Sequence, residues 1–207
     1  MRCPIVKTWV HGLVLAGALT VADAQAQVDR FQPQIPAAEV RQLETARELR
    51  KQNRPKEAIP VLQAVVTRQP EYFNAQYELG LAQSDVLDEI AKSIPALERA
   101  AALKRAHPEV TDAHVLNSLG WVYMYTGRSS DAERLFKEAE QNLQQLSPDA
   151  RRRLHNNLGA LYLNTGRHAE AEQYLQVASQ KYGSAQASQQ LKTLDRVKAR
   201  ELELNKK

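Results

Sequence analysis

From residue 39 to residue 185 the chain repeats one arrangement of apolar and polar positions. Small and aliphatic residues return every three or four places with charges between them, as in helices that bury one face. Ala46, Leu49, Ala58, Leu62 and Val65 begin the series. Three later segments set glycine in the same surroundings: Tyr77-Glu78-Leu79-Gly80, Asn117-Ser118-Leu119-Gly120-Trp121-Val122-Tyr123 and Asn157-Leu158-Gly159-Ala160-Leu161-Tyr162. The last two run on into Thr126-Gly127-Arg128 and Thr165-Gly166-Arg167, then into Asp131-Ala132-Glu133 and Glu170-Ala171-Glu172. Gly120 to Gly159 spans 39 residues, as do Gly127 to Gly166 and Ala132 to Ala171, while Gly80 to Gly120 spans 40. A period in this range marks a helical repeat array.

The punctuation fits pairs of packed helices. Gly80, Gly120 and Gly159 interrupt helical patterns, where glycine costs up to about 1 kcal/mol relative to alanine. Their recurrence in one register predicts close helix approach, received by Ala58, Ala96, Ala132 and Ala171. Gly127 and Gly166 are placed for left-handed helix caps. Pro70, Pro108 and Pro148 predict breaks between units. Ser129, Ser130 or Asp131, and Ser147 before Pro148 and Asp149, are candidate helix N-caps.

These residues resemble the tetratricopeptide repeat family, whose unit is two antiparallel helices over about 34 residues. Residues 113–151 carry Leu119, Gly120, Tyr123, Ala132, Phe136 and Ala139 at the family's places, and residues 152–185 carry Leu158, Gly159, Tyr162, Ala171, Leu175 and Ala178. Residues 73–112 keep Leu79, Gly80, Ala96 and Pro108, but have Gln83 at the Tyr place and a longer loop around 85–94. Residues 39–72 have Thr45-Ala46 where Leu-Gly is expected. The resemblance implies an all-α fold: a right-handed superhelical solenoid of about four helix pairs plus a C-terminal capping helix over 186–207. In that tail Leu191, Leu194, Val197, Leu202 and Leu204 alternate with charges. A cap of this kind covers apolar surface that a terminal repeat would expose.

The other end reads differently. Arg2 and Lys7 precede an apolar run over 12–22, and small residues follow at Ala22, Ala24 and Ala26. This is the order of a secretory signal peptide, 1–24, with cleavage after Ala24 or Ala26; an uncleaved membrane anchor and a buried N-terminal helix are the alternatives. The run is far shorter than the roughly 20 residues that span a bilayer. Cys3 is the only cysteine and leaves with the leader. A flexible linker over 25–38 follows, with Pro33 and Pro36. The expectation is a bacterial periplasmic or secreted protein with no integral membrane segment after cleavage.

Charge and chemistry narrow the function classes. Removing Arg2, Lys7 and Asp23 from 28 basic and 24 acidic residues leaves 26 and 23, or +3. The signs are interspersed, so no basic stripe points to nucleic acid. Arg151-Arg152-Arg153 is read as a helix start or a local partner contact. There is no phosphate-cradling loop, nucleophile elbow or metal-ligand spacing. His107, His114, His155 and His168 form no ligand motif, and His155 stands where the family buries an aromatic. Asp131, Glu133, Glu170 and Glu172 are read as solvated outer-face charges. Neither catalysis nor a cofactor or metal is expected.

In the resembling family, the first helix of each pair lines an inner groove that receives a peptide or a partner helix. Carried over, the partner-binding residues are Arg47 and Arg50; Asn74 and Tyr77, with Leu81; His114, Asn117, Trp121 and Tyr125, with Met124; and Arg153, Asn156 and Asn157, with Ala160 and Asn164. Asparagine can bond both backbone donor and acceptor. Trp, Tyr and Arg are frequent hot spots. Arg47, Arg50 and Arg153 can take a carboxylate. The leading expectation is a non-catalytic interaction adaptor or assembly factor with a protein or peptide partner. The alternatives are a structural solenoid self-associating through 186–207, and a glycan or cell-wall-associated binding module.

Overall fold

The structure, a computed structural model, describes residues 34–106 and 113–204. The leader, linker positions 25–33 and Pro108 fall outside them. Four helix pairs follow in order: α1 (Ala37–Lys51) with α2 (Pro55–Arg68), α3 (Phe73–Ser84) with α4 (Ile94–Arg105), α5 (Ala113–Tyr125) with α6 (Ser129–Gln141), and α7 (Pro148–Asn164) with α8 (His168–Gln176). A wide π-type turn, Val177–Lys181, leads from α8 towards a final helix, α9 (Ala185–Leu204). The extra residues of the second pair form a 3-10 helix, Leu87–Ser93, anchored by buried Val86 and Ile90. α7 starts at Pro148, four residues before the expected unit boundary, because Ser147 Oγ accepts from Ala150 N at 3.3 Å and proline suits the first turn.

Each helix packs on the next. In addition α1 touches α3, α3 touches α5, α5 touches α7 and α7 touches α9. No second helix makes a comparable contact with the next second helix among the described residues. The first helices therefore form the inner layer of an all-α solenoid.

The helix approach at glycine is real, but its partners differ from expectation. A Cβ on Gly80, Gly120 or Gly159 would fall 2.5–2.7 Å from Leu97, Phe136 or Leu175 respectively. Large side chains of the second helix sit in the glycine notch, and the four alanines are buried close by. Gly127 and Gly166 have φ of +83° and +72°. Arg128 N and Arg167 N reach back to Tyr123 O at 2.7 Å and Tyr162 O at 2.8 Å, closing paired caps. Asn53, at φ 58°, builds the same cap after α1, with Arg54 N on Leu49 O at 2.9 Å. Neither Ser129 nor Ser130 caps α6. Arg128 holds that position, and its guanidinium binds Asp131 at 2.8 Å.

The repeated acids are more than surface charge. Arg167 lies 4.3 Å over the Tyr162 ring and bonds Glu133 of the preceding pair at 2.7 Å and Glu170 at 2.8 Å. Tyr162 Oη donates to the same Glu133 at 2.9 Å. One pair earlier, Arg128 covers Tyr123 at 3.8 Å, and Tyr123 donates to Glu98. Glu172 pairs with Lys198, tying α8 to α9.

Candidate functional site

The first helices enclose a groove of about 550 Å³. It collects Arg50 from α1, Tyr77 and Leu81 from α3, Asn117 and Trp121 from α5, and Arg153, Asn156 and Asn157 from α7. Four unforeseen residues share its wall: Ser84, Asp85, Ser118 and Gln186. The amphipathic spacing that buries Leu119 and Leu158 turns Asn117 and Asn157 inward.

The remaining expected residues lie outside this wall. Asn74 and His114, in the first turns of α3 and α5, are partly buried. Tyr125 is exposed at the end of α5, its ring stacked on Trp121 with centroids 5.6 Å apart. Trp121 has a double role, since it also packs on the core, as does Met124. Arg47 sits beside Arg50 and lies outside the groove wall.

Electrostatics divide the arginines. Arg47 Nε bonds Glu78 at 2.9 Å, and Arg50 bonds Glu78 at 2.6 Å and Asp85 at 2.9 Å. Arg47 also bonds Glu44 of its own helix at 2.7 Å, so two guanidiniums face three carboxylates. The expected attraction for a partner's carboxylate is already answered from within. The triple-arginine run splits three ways. Arg151 clamps the carbonyls of Leu143 and Leu146, both at 2.9 Å, and Arg152 pairs with Asp149 at 3.0 Å. Arg153 is exposed in the groove and makes no hydrogen bond or ion pair among the described residues.

The asparagines are positioned by one another. Asn157 Nδ2 donates to Asn117 Oδ1 at 3.0 Å, and Ser184 Oγ donates to Asn156 Oδ1 at 2.9 Å. Asn117 Nδ2, Asn156 Nδ2 and Asn157 Oδ1 stay uncommitted among the described residues, giving two donors and one acceptor. Tyr77 Oη lies 3.3 Å from Ser118 Oγ. Among the described residues no three His, Cys, Asp or Glu side chains gather as a metal site requires, and no helix is long and apolar enough to cross a membrane. Ser84, Ser118 and Gln186 could have been found from helical spacing alone. Asp85 required knowing where Arg50 ends.

The tetratricopeptide repeat family profile matches residues 43–109 and 117–186, most of the chain. The chain belongs to the tetratricopeptide repeat family. Solved structures agree on the fold. The Cut9–Hcn1 hetero-tetramer of the APC/C contains a chain 21% identical, with a TM-score of 0.55, over 75% of this chain and only 27% of that one. Tetratricopeptide-like repeats of a Podospora anserina putative kinesin light chain are 20% identical over 81% and 98% of the two chains, with a TM-score of 0.57. A thermophilic tetratricopeptide repeat protein of Thermus thermophilus is 21% identical over 84% and 87%, with a TM-score of 0.56. No curated protein matches the chain in sequence. Tetratricopeptide repeats are generally protein-interaction modules and non-catalytic scaffolds.

Proposed function

We propose that this tetratricopeptide repeat protein is a non-catalytic adaptor or assembly factor of the bacterial periplasm that holds a peptide or helix of a protein partner in its inner groove. One observation carries the reading. The groove sets amide donors and an acceptor, uncommitted among the described residues, beside Trp121 and Tyr77, with Arg153, likewise unpaired among them, at one side. Amides serve a peptide backbone, the aromatic rings serve an apolar side chain, and the guanidinium serves an acidic one. Export rests on Arg2, Lys7, the apolar run over 12–22 and the small residues after it.

Crosslinking and affinity capture of the processed protein from its native compartment, read by mass spectrometry, tests this. One heterologous protein crosslinked through α5 and α7 is expected. The triple variant Asn117→Ala, Trp121→Ala, Asn156→Ala loses it while keeping its helical circular dichroism, and Arg153→Glu weakens it without touching the fold. Undiminished capture by the folded triple variant removes the groove from the mechanism. Recovery of the protein alone at a defined oligomeric mass favours the self-associating solenoid.

A further inference from the structure

We propose that the last helix pair carries an acid-sensitive latch, in which protonation of His155 releases the turn at 182–184 and frees α9 from the groove residue Asn156. His155 lies on α7 with 5% of its surface exposed. Its ring stands between Tyr174, 5.9 Å away, and Tyr182, 5.2 Å away. Nδ1 lies 2.8 Å from Arg151 O. A carbonyl only accepts, so the neutral ring carries its proton on Nδ1. The ring makes no other hydrogen bond among the described residues.

The charges around the ring are of both signs. Lys137 and Glu140 reach the ring from α6, and Lys181 reaches it from the turn after α8. Glu140 is already engaged, accepting from Lys137 at 3.0 Å and from Tyr174 at 3.2 Å. Burial, the largest influence, holds the imidazole below its usual pKa. The Arg151 carbonyl and Glu140 oppose this, and the two lysines add to it. Unfolded or opened chain therefore takes up a proton that the closed form resists. The closed form is favoured above about pH 6.5 and loses ground as pH falls below it.

The opening has a defined path. Tyr182 leads through Gly183, at φ +65°, to Ser184. The Ser184 hydroxyl accepts from Ala187 N at 3.1 Å, capping α9, and donates to Asn156 Oδ1. Consecutive residues of α7 thus hold both sides of one glycine hinge. Gly183 N and Ser184 N bond back to Ser179 O at 3.1 Å and Ala178 O at 2.9 Å, but Tyr182 Oη is buried with no partner among the described residues, a cost that opening relieves. Gln186 on α9 and Asn156 both line the groove, so opening removes part of it. That loss of partner affinity in acid rests on the adaptor reading; the latch does not.

The test follows the full chain by NMR, comparing the His155 ring with amide protection factors between about pH 7.5 and about pH 5. Protection over 178–200 is expected to fall about tenfold or more, with the midpoint of the ring, while α5 keeps its protection. His155→Phe holds α9 protected at both pH values. A ring that stays neutral throughout, a ring that titrates with α9 still protected, or an equal loss in a folded His155→Phe variant each overturns the latch. The comparison within the wild-type chain stands even where the variant does not fold. Acid-labile partner capture with α9 protection unchanged places the sensitivity in the groove contacts instead, and also overturns it.

Discussion

A methyl group on Gly120 would lie 2.7 Å from the ring of Phe136, which has no exposed surface. Gly120→Ala is expected to cost about 1–3 kcal/mol, read as a lower thermal midpoint. Phe136→Leu on that background should recover part of it, since Leu97 and Leu175 fill the same notch elsewhere. A double-mutant cycle with no coupling would show that the notch is not the cause. Gly127 fails differently. A Cβ there meets nothing within 4 Å, but φ is +83°. Gly127→Ala should cost about 1–2 kcal/mol from backbone strain alone, and Gly127→Asn much less, as Asn53 demonstrates at φ 58°. Both glycine roles were legible in the sequence because each recurs in register. The residues filling the notch were not, because a repeat period says which face a helix buries and leaves open how far its partner is shifted along the axis.

Between helices, the Tyr–Arg–Glu clusters join successive pairs. The Tyr162 hydroxyl is pushed up to about 12, first by burial and then by donating to Glu133, and Tyr123 behaves alike beside Glu98. With the folded value raised above the ordinary 10, the native chain holds these protons longer than the unfolded one. The stabilisation is complete below about pH 10 and is lost as pH climbs through about 12. Spectroscopic titration should show Tyr123 and Tyr162 ionising late, near pH 12, with Tyr162→Phe removing one late step. Ionisation of all tyrosines together in native protein would contradict the clusters. Tyr162→Phe should also cost about 0.5–1.5 kcal/mol, as Glu133 loses a donor. The sequence did not announce these links. Glu133 and Arg167 are 34 residues apart, and at that distance a paired acid and a solvated one look the same in a linear pattern. The groove shows the same limit. Its inward asparagines and aromatics followed from helical spacing, but the neutralisation of Arg47 and Arg50 depends on how α3 sits against α1.

At the scale of the whole molecule the buried apolar residues form two main clusters. One joins α1, α2, α3 and Ala96. The other begins with Ile90 and the adjacent Leu97 and extends through α5, α6 and α7 to Leu194 on α9. The seam therefore runs through α4, whose neighbouring residues Ala96 and Leu97 belong to different sides. The two ends are unequal as well, since α9 covers α8 with Ala187 and Leu191, while α1 has exposed Val40 and only partly buried Leu49 on the first pair. Phe73 and Tyr77 of α3 also pack on the second cluster, but repeat arrays gain stability from neighbour contacts, so a loss on one side of the seam need not spread across it. Leu62 is fully buried on the first side. Leu62→Ala should remove about 2–5 kcal/mol of local stability. Hydrogen exchange should then show α1 and α2 losing protection first, with α5 to α8 retaining theirs, and a broadened or two-step urea transition. Equal loss of protection in every helix, with one sharp transition, would mean that α4 transmits the defect and that the solenoid folds as a single cooperative unit.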